Sequence, residues 1–250
     1  VDGWRTAGVL AARAVWSVVG PLARVGIISR PSDVGPSPDG APAPHPSDEP
    51  RAPAASHTRH EALGQRRFWV LSAVVATTSM LFTALSFHQI SILGEQGLNM
   101  TEAAVMFLPQ VVGLISAGLL AGLLADRVPA RFLLALTMAL LATALALAVV
   151  LAPGPSIPVY AMALGAAAGA QRPLVATLLP RWYGLAHIGS IQGVSALIMV
   201  AASATGPVAL SLASDSIGGY ASAALLLLAI PIVVGIAALT ISEPEFGHQT

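Results

Sequence analysis

Six apolar stretches, each about 20 residues long and separated by short polar turns, restrict what this chain can fold into. They cover approximately residues 68–92, 103–125, 132–152, 157–179, 188–213 and 220–241. An α-helix of that length crosses the hydrocarbon core of a bilayer. Because backbone polar groups inside lipid need partners within the protein, the stretches are predicted to be transmembrane helices.

The composition excludes an ordinary soluble enzyme. Only 10% of the 250 residues are charged and 55% are hydrophobic, whereas a soluble domain carries about 25% charged residues. The formal net charge is zero, so nothing indicates a nucleic-acid partner. There are no cysteines, and no paired carboxylates, His/Asp cluster or activated serine stands at a span end. We therefore expect no enzyme activity, no metal and no cofactor.

A weaker seventh stretch, about residues 6–28, precedes the six. Arg13 lies inside it, and its side chain must snorkel toward the headgroups if the stretch crosses the membrane. Eight prolines without an apolar period follow, which is typical of a flexible linker. The predicted organisation is a preceding transmembrane helix at 1–28, a disordered cytoplasmic linker at 29–66, a six-helix transmembrane bundle at 67–241 and a cytoplasmic tail at 242–250.

The arginine distribution predicts the orientation in the membrane. Nine of the twelve arginines fall in alternate connecting segments, namely 24–67, 126–131 and the loop at Arg181, whereas the loops around 95–102, 153–158 and 214–220 contain none. The positive-inside rule makes the arginine-bearing side cytoplasmic. We expect a multi-pass protein of the cell membrane, of the bacterial inner-membrane kind.

Small residues and prolines inside the spans predict close packing and bending. The motifs Gly118-x-x-x-Gly122 and Gly165-x-x-x-Gly169 permit close approach of two helix backbones. Four prolines each remove a helix hydrogen bond: Pro109, Pro173, Pro207 and Pro231. The pattern fits helices that rock against each other, and ordinary tight packing is the alternative for any single position.

A short loop after the second of the six stretches carries a family resemblance. It reads Gly122-Leu-Leu-Ala-Asp126-Arg127-Val-Pro-Ala-Arg131 and resembles the signature loop G-x-L-A-D-R-x-G-R-[KR] of the major facilitator superfamily. The two positions before Arg131 depart from the family's Gly-Arg. The resemblance implies a cytoplasmic gate loop formed by these four numbered residues. On the residues alone, a simple positive-inside anchor is the alternative.

Further stretches resemble monocarboxylate-type and oxalate/formate-type facilitators: residues 3–5 with 30–40, 87–104, 182–193 and 215–220. This resemblance implies an all-α integral membrane fold, made of a six-helix carboxy-terminal bundle with 3+3 inverted repeats and one preceding helix, the family's sixth span. The chain also begins at Val1 without an initiator methionine. We therefore expect a fragment whose partner is the missing amino-terminal half of the same transporter. The charged pair that proton-coupled members carry in the eighth span is absent from residues 113–118.

Few ionisable or amide groups lie at membrane depth, and these are the candidate substrate ligands. Arg172 is the clearest, because its planar guanidinium suits a carboxylate. Polar residues that accompany it as substrate-binding candidates are Gln171, Gln110, Gln192 and Ser195. Hydrogen bonds between helices are the alternative for these side chains. His88, near an outer end, is a candidate for coupling or an outer gate, with a packed interfacial histidine as the alternative.

The sequence thus predicts a secondary active transporter that moves a small organic anion, such as a mono- or dicarboxylate, across the lipid bilayer by alternating access. The alternative is a non-transporting membrane sensor or a degenerate fragment of a transporter.

Overall fold

The computed structural model describes residues 3–26 and 56–242, and these ranges contain helices and turns but no strand. The helices are α1 (Gly3–Gly26), α2 (Arg59–Leu63), α3 (Arg66–Phe87), α4 (Gln89–Gly94), α5 (Met100–Val105), α6 (Phe107–Leu124), α7 (Ala130–Val149), α8 (Ser156–Tyr183), α9 (Ile188–Ile217), α10 (Tyr220–Leu227) and α11 (Ala229–Leu239). The all-α fold predicted from the sequence is confirmed. The chain forms two compact units, Val1–Pro53 and Ala54–Thr250.

Five helical segments of the second unit are long and apolar enough to cross a membrane: Arg66–Phe87, Met100–Leu124, Ala130–Val149, Ile188–Ile217 and Tyr220–Leu239. The sequence analysis predicted six. The remaining one, α8, has 28 residues but is less apolar, because Gln171 and Arg172 lie within it. It packs against α6, α7, α3 and α9, so neighbouring helices shield much of it from lipid. That α8 and α1 cross the membrane stays a prediction.

Six helical rods form the bundle of the second unit: α3, α5 with α6, α7, α8, α9, and α10 with α11. α6 packs along α8, and α3 packs along α9. α7 packs against α8 and α11, and α11 also packs against α3. Fully buried side chains lie on α3, α7 and α8, among them Leu81, Leu141, Tyr160 and Leu164. The core therefore lies between these three helices.

Two prolines lie in the first turn of a helix that follows a break, and the sequence analysis did not predict these breaks. Proline has no N–H, so Pro109 and Pro231 cannot donate to the carbonyl groups four residues earlier. Those carbonyls belong to Val105 and Leu227, the last residues of α5 and α10. The predicted bends are therefore one-residue breaks here. The other two prolines lie inside α8 and α9, which continue without interruption.

Glycines allow α6 and α8 to touch backbone to backbone. A Cβ atom at Gly165 would overlap the carbonyl oxygen of Gln110, and a Cβ at Gly169 would overlap that of Leu114. The second predicted glycine motif is thus a helix contact.

The first predicted glycine motif makes a looser contact. A Cβ at Gly118 would lie 3.2 Å from the carbonyl oxygen of Gly169, and a Cβ at Gly122 would lie 3.9 Å from the Cβ of Pro173. Only the first of these two distances is tight. A larger side chain would therefore overlap the neighbouring backbone at both glycines of the second motif but not at those of the first.

One end of the bundle collects the arginine-bearing segments. Arg181 Nη1 donates to the carbonyl oxygen of Ala125 at 3.2 Å, which joins the end of α8 to the α6–α7 turn. The backbone N–H of His57 donates to the carbonyl oxygen of Tyr183 at 2.9 Å, which brings the segment before α3 to the same end. This agrees with the alternation of charged loops. The membrane face on which this end lies stays a prediction.

The last part of the predicted linker is ordered, which corrects the boundary at residue 66. Thr58 and Glu61 form a capping box at α2: the N–H of Glu61 donates to Thr58 Oγ1 at 3.3 Å, and the N–H of Thr58 donates to Glu61 Oε2 at 2.8 Å. These hydrogen bonds lower the pKa of the exposed Glu61 carboxyl, because they favour its ionised form. Residues 29–55 of the predicted linker, 243–250 of the predicted tail, and 1–2 and 27–28 of the predicted preceding helix lie outside the described residues.

Single cysteines at Ser156 and Ser190 should be labelled from opposite sides of the membrane. The two serines stand near the two ends of α8, whose 28 residues give a rod of about 42 Å. The chain has no native cysteine, so a membrane-impermeant maleimide reports each position alone in oriented vesicles. Labelling of both positions from the same side would contradict the topology.

Candidate functional site

Two neighbouring cavities lie between α3, α8 and α9, and Arg172 is in the wall of both. The larger has a volume of about 700 Å³ and also touches α6 at Leu114. The smaller has a volume of about 280 Å³ and is lined by Val75, Gln192 and Ser195 as well. These residues are nearer the arginine-bearing end, so the two cavities follow one another along the bundle.

Arg172 lies in the middle part of α8. Counting 1.5 Å per helical residue, it lies about 24 Å along α8 from Ser156 and about 17 Å from Tyr183. The side chain is exposed to the cavities. Within residues 56–242 its guanidinium makes no hydrogen bond or ion pair, and no carboxylate lines either cavity. The positive charge is therefore available to a ligand.

The amide nitrogen of Gln171 points toward α3 and holds α8 against it, so it does not face the cavities. The side chain is buried, and Nε2 donates to Ser79 Oγ at 3.1 Å and to the carbonyl oxygen of Val75 at 3.4 Å. Both acceptors are on α3. The bonds set the rotation of α8 against α3, and with it the direction of the neighbouring arginine.

The sequence analysis missed a hydroxyl pair in the larger cavity. Thr83 Oγ1 and Ser203 Oγ lie 2.9 Å apart and join α3 to α9. A signal was present, since Ser79, Thr83 and Ser86 repeat at intervals of four and three residues and share one face of α3. That face provides polar partners for three neighbouring helices.

The structure brings four of the five substrate candidates together. Gln192 and Ser195 line the smaller cavity beside Arg172 and its neighbour on α8. Gln110 lines neither cavity. It is buried between helices, and its Nε2 donates to Ser86 Oγ at 2.7 Å, which is the alternative considered for it. A substrate contact for any of the five stays a prediction.

His88 lies at the end of α3, away from both cavities. Its Nδ1 is 3.0 Å from the carbonyl oxygen of Ala84, and its ring centroid is 5.5 Å from that of Tyr220 at the start of α10. The contact joins the ends of two rods opposite the arginine-rich end. An outer-gate or coupling role stays a prediction.

The residues of the predicted gate loop surround the α6–α7 turn. Gly122, Asp126, Arg127 and Arg131 are all exposed, and the guanidinium of Arg131 lies over the ring of Phe132 at 4.8 Å. An exposed turn with these charges is accessible to a second structural element. Their role as a gate stays a prediction.

A bundle of long apolar helices around a cavity with one cation in its wall defines a multi-pass helical membrane protein with a polar internal site. The family model described as Major Facilitator Superfamily matches residues 3–164, which is more than half of the chain. The chain belongs to this superfamily, a family of membrane transporters. The match includes the α6–α7 turn and ends before Arg172. No curated protein sequence matches the chain.

Proposed function

We propose that this chain belongs to a secondary active transporter for a small organic anion, such as a mono- or dicarboxylate. In this proposal it corresponds to the carboxy-terminal half of a twelve-span transporter together with the sixth span, as in monocarboxylate-type and oxalate/formate-type facilitators. The protein lies in the inner membrane of a bacterial cell, and its arginine-rich end faces the cytoplasm. Transport proceeds by alternating access to the cavities beside Arg172.

The observation that carries the proposal is the unpaired guanidinium of Arg172. Insertion scales assign an arginine at the centre of a membrane helix a cost of about 2.5–3.5 kcal/mol. No carboxylate among residues 56–242 offsets this cost in the cavities. A planar guanidinium binds a carboxylate through two parallel hydrogen bonds. An anionic substrate therefore completes the site.

The larger cavity fits a small molecule. Its volume of about 700 Å³ is within the range of about 300–1,000 Å³ that is usual for ligand pockets. Phe82, Leu114 and Met199 supply apolar walls, and the hydroxyls of Thr83 and Ser203 supply polar ones. This lining suits a substrate with a carboxylate and a partly apolar body.

The exposure of α6 and α9 supports a second half-bundle as partner. In the most apolar parts of Met100–Leu124 and Ile188–Ile217 only 17% and 11% of the residues are buried, against 56% in Arg66–Phe87. Both helices border the larger cavity. Covering them with an amino-terminal half would close the cavity on its open side. Five further spans and a second Gly-Asp-Arg loop encoded upstream of Val1 would support this arrangement.

The substrate class is tested by binding to the purified protein. We expect small mono- and dicarboxylates to bind, as measured by calorimetry in detergent, and the matching neutral amides to bind much more weakly, because an amide lacks the charge that pairs with Arg172. Each acid and its amide have nearly the same shape, so the comparison isolates the charge. Equal binding of acid and amide, or preference for an amine, would contradict an anion transporter.

A further inference from the structure

A separate cavity lies at the arginine-rich end, between the start of α3 and the end of α11. Its volume is about 360 Å³, and it is lined by Gln65, Arg66, Arg67, Thr240, Ile241 and Ser242. Two of these six residues are cationic, and no carboxylate is among them. The cavity is distinct from the two beside Arg172, with which it shares no lining residue.

Arg66 provides the cationic group with the most free donors. Its side chain is exposed, and Nη2 donates to Thr240 Oγ1 at 2.9 Å. This is the hydrogen bond that its guanidinium makes within the described part of the chain. A guanidinium has five N–H donors, so four remain for a ligand, and the contact with Thr240 fixes the direction of the group.

Arg67 contributes a second positive charge that is held in place. Its Nη2 is 3.5 Å from the carbonyl oxygen of Trp182, and its guanidinium lies 5.1 Å from the centre of the Tyr183 ring. These contacts use part of its hydrogen-bonding capacity, so it acts mainly through its charge. Two cationic side chains therefore line the cavity, and Arg66 is the one with more free hydrogen-bond donors.

The neighbourhood of the cavity is that of a membrane interface. Trp69, one turn after Arg66 on α3, is half-exposed, and its indole N–H donates to the carbonyl oxygen of Leu63 at 2.7 Å. Tryptophan with its polar edge satisfied and its ring exposed is typical of the headgroup level of a bilayer. The apolar parts of α3 and α11 continue from this level into the span.

We propose that this cavity binds the phosphate of an anionic phospholipid headgroup. Phosphate oxygens accept charge-assisted hydrogen bonds from arginine, and basic pockets between transmembrane helices on the cytoplasmic side bind acidic headgroups. The hydroxyl of Ser242 is an additional donor for the phosphate, whereas the hydroxyl of Thr240 already donates to the carbonyl oxygen of Ala237. A lipid is the source, because its acyl chains lie along the apolar surfaces directly below the cavity while its phosphate reaches Arg66.

The proposal is tested by measuring lipid retention and thermal stability of the purified protein. Native mass spectrometry should show more phosphatidylglycerol than phosphatidylcholine retained at equal concentration, and phosphatidylglycerol should raise the melting temperature. Arg66→Gln should reduce phosphatidylglycerol retention about tenfold, the amount expected for the loss of a hydrogen bond to a charged group. Arg66→Lys, which preserves the charge, should lose less.

Arg59→Gln is the matched control. Arg59 is exposed on α2 at the same end but does not line the cavity, so the variant removes the same charge and should retain the lipid as the wild type does. Equal losses in Arg59→Gln and Arg66→Gln, or no preference for phosphatidylglycerol in the wild type, would overturn the proposal.

Inorganic phosphate is the second ligand to be tested. Stabilisation by phosphate that equals stabilisation by phosphatidylglycerol would overturn the lipid as the source. An unchanged melting temperature of lipid-free Arg66→Gln establishes that the variant folds.

Discussion

Replacing Gly169 with alanine should destabilise the bundle by an amount large enough to lower its yield and melting temperature. The added Cβ overlaps the carbonyl oxygen of Leu114, and a backbone atom cannot rotate away as a side chain does. Overpacking of this kind costs about 1–3 kcal/mol, and we expect the upper part of this range. The intrinsic helix preference for alanine over glycine offsets at most about 1 kcal/mol. Gly165→Ala should behave in the same way.

Two other glycines of the same seam provide a graded control. Gly118→Ala brings its Cβ to 3.2 Å from the carbonyl oxygen of Gly169, and Gly122→Ala brings its Cβ no closer than 3.9 Å to Pro173. Thermal unfolding in detergent, followed by tryptophan fluorescence, should therefore rank the variants with Gly169→Ala least stable, Gly118→Ala intermediate and Gly122→Ala near the wild type. Equal effects at all three positions would mean that the α6–α8 approach is not as close as the structure has it.

Arg172→Gln should abolish measurable binding of the carboxylates that the wild-type protein binds. Removing one partner of a desolvated, hydrogen-bonded charge pair costs about 2–5 kcal/mol, which is a loss of affinity of more than about tenfold. Arg172→Lys keeps the charge but not the planar fork, so it should lie between the wild type and the glutamine variant. Calorimetric titration with the same acid measures all three.

The control for Arg172 is again a charge removed elsewhere. Arg59→Gln lowers the net charge equally and lies outside both cavities, so carboxylate affinity should be unchanged. The melting temperature of ligand-free Arg172→Gln should stay close to that of the wild type, because the guanidinium makes no hydrogen bond or ion pair with residues 56–242 that its removal would break. Normal carboxylate binding by Arg172→Gln would mean that this arginine is not the anion ligand.

The spans were predictable because their signal extends over many residues. A stretch of about 20 apolar residues adopts few structures other than a membrane helix. The alternation of arginines in the loops also depends on many positions at once. Helix ends depend on single residues. Pro109 and Pro231 indicated a bend. Whether a lost hydrogen bond bends or interrupts a helix depends on how the residues before it, Val105 and Leu227, pack against other helices. The sequence does not contain this packing. The capping-box pattern of Thr58 and Glu61 is present in the sequence. The prolines before it favoured a linker, so the pattern was not recognised as the start of a helix.

The candidate site was predictable as far as single residues determine it. Arg172 stands out because a charge in a membrane helix needs a reason. The roles of Gln171 and Gln110 follow from which side chains of α3 they meet, and this depends on the rotation and close approach of whole helices. Thr83 and Ser203 are 120 residues apart, so no local pattern connects them. Pairing between distant helices is the part of the site that required the structure.

The position of two arginines on α8 has a mechanical consequence. Arg172 and Arg181 are nine residues apart, which at about 3.6 residues per turn places them about half a turn out of phase. One guanidinium lines the cavities, and the other leaves the opposite side of the helix to hold the carbonyl oxygen of Ala125. Because α8 carries both side chains, a movement of this helix that shifts Arg172 in the cavities also shifts the contact with the α6–α7 turn.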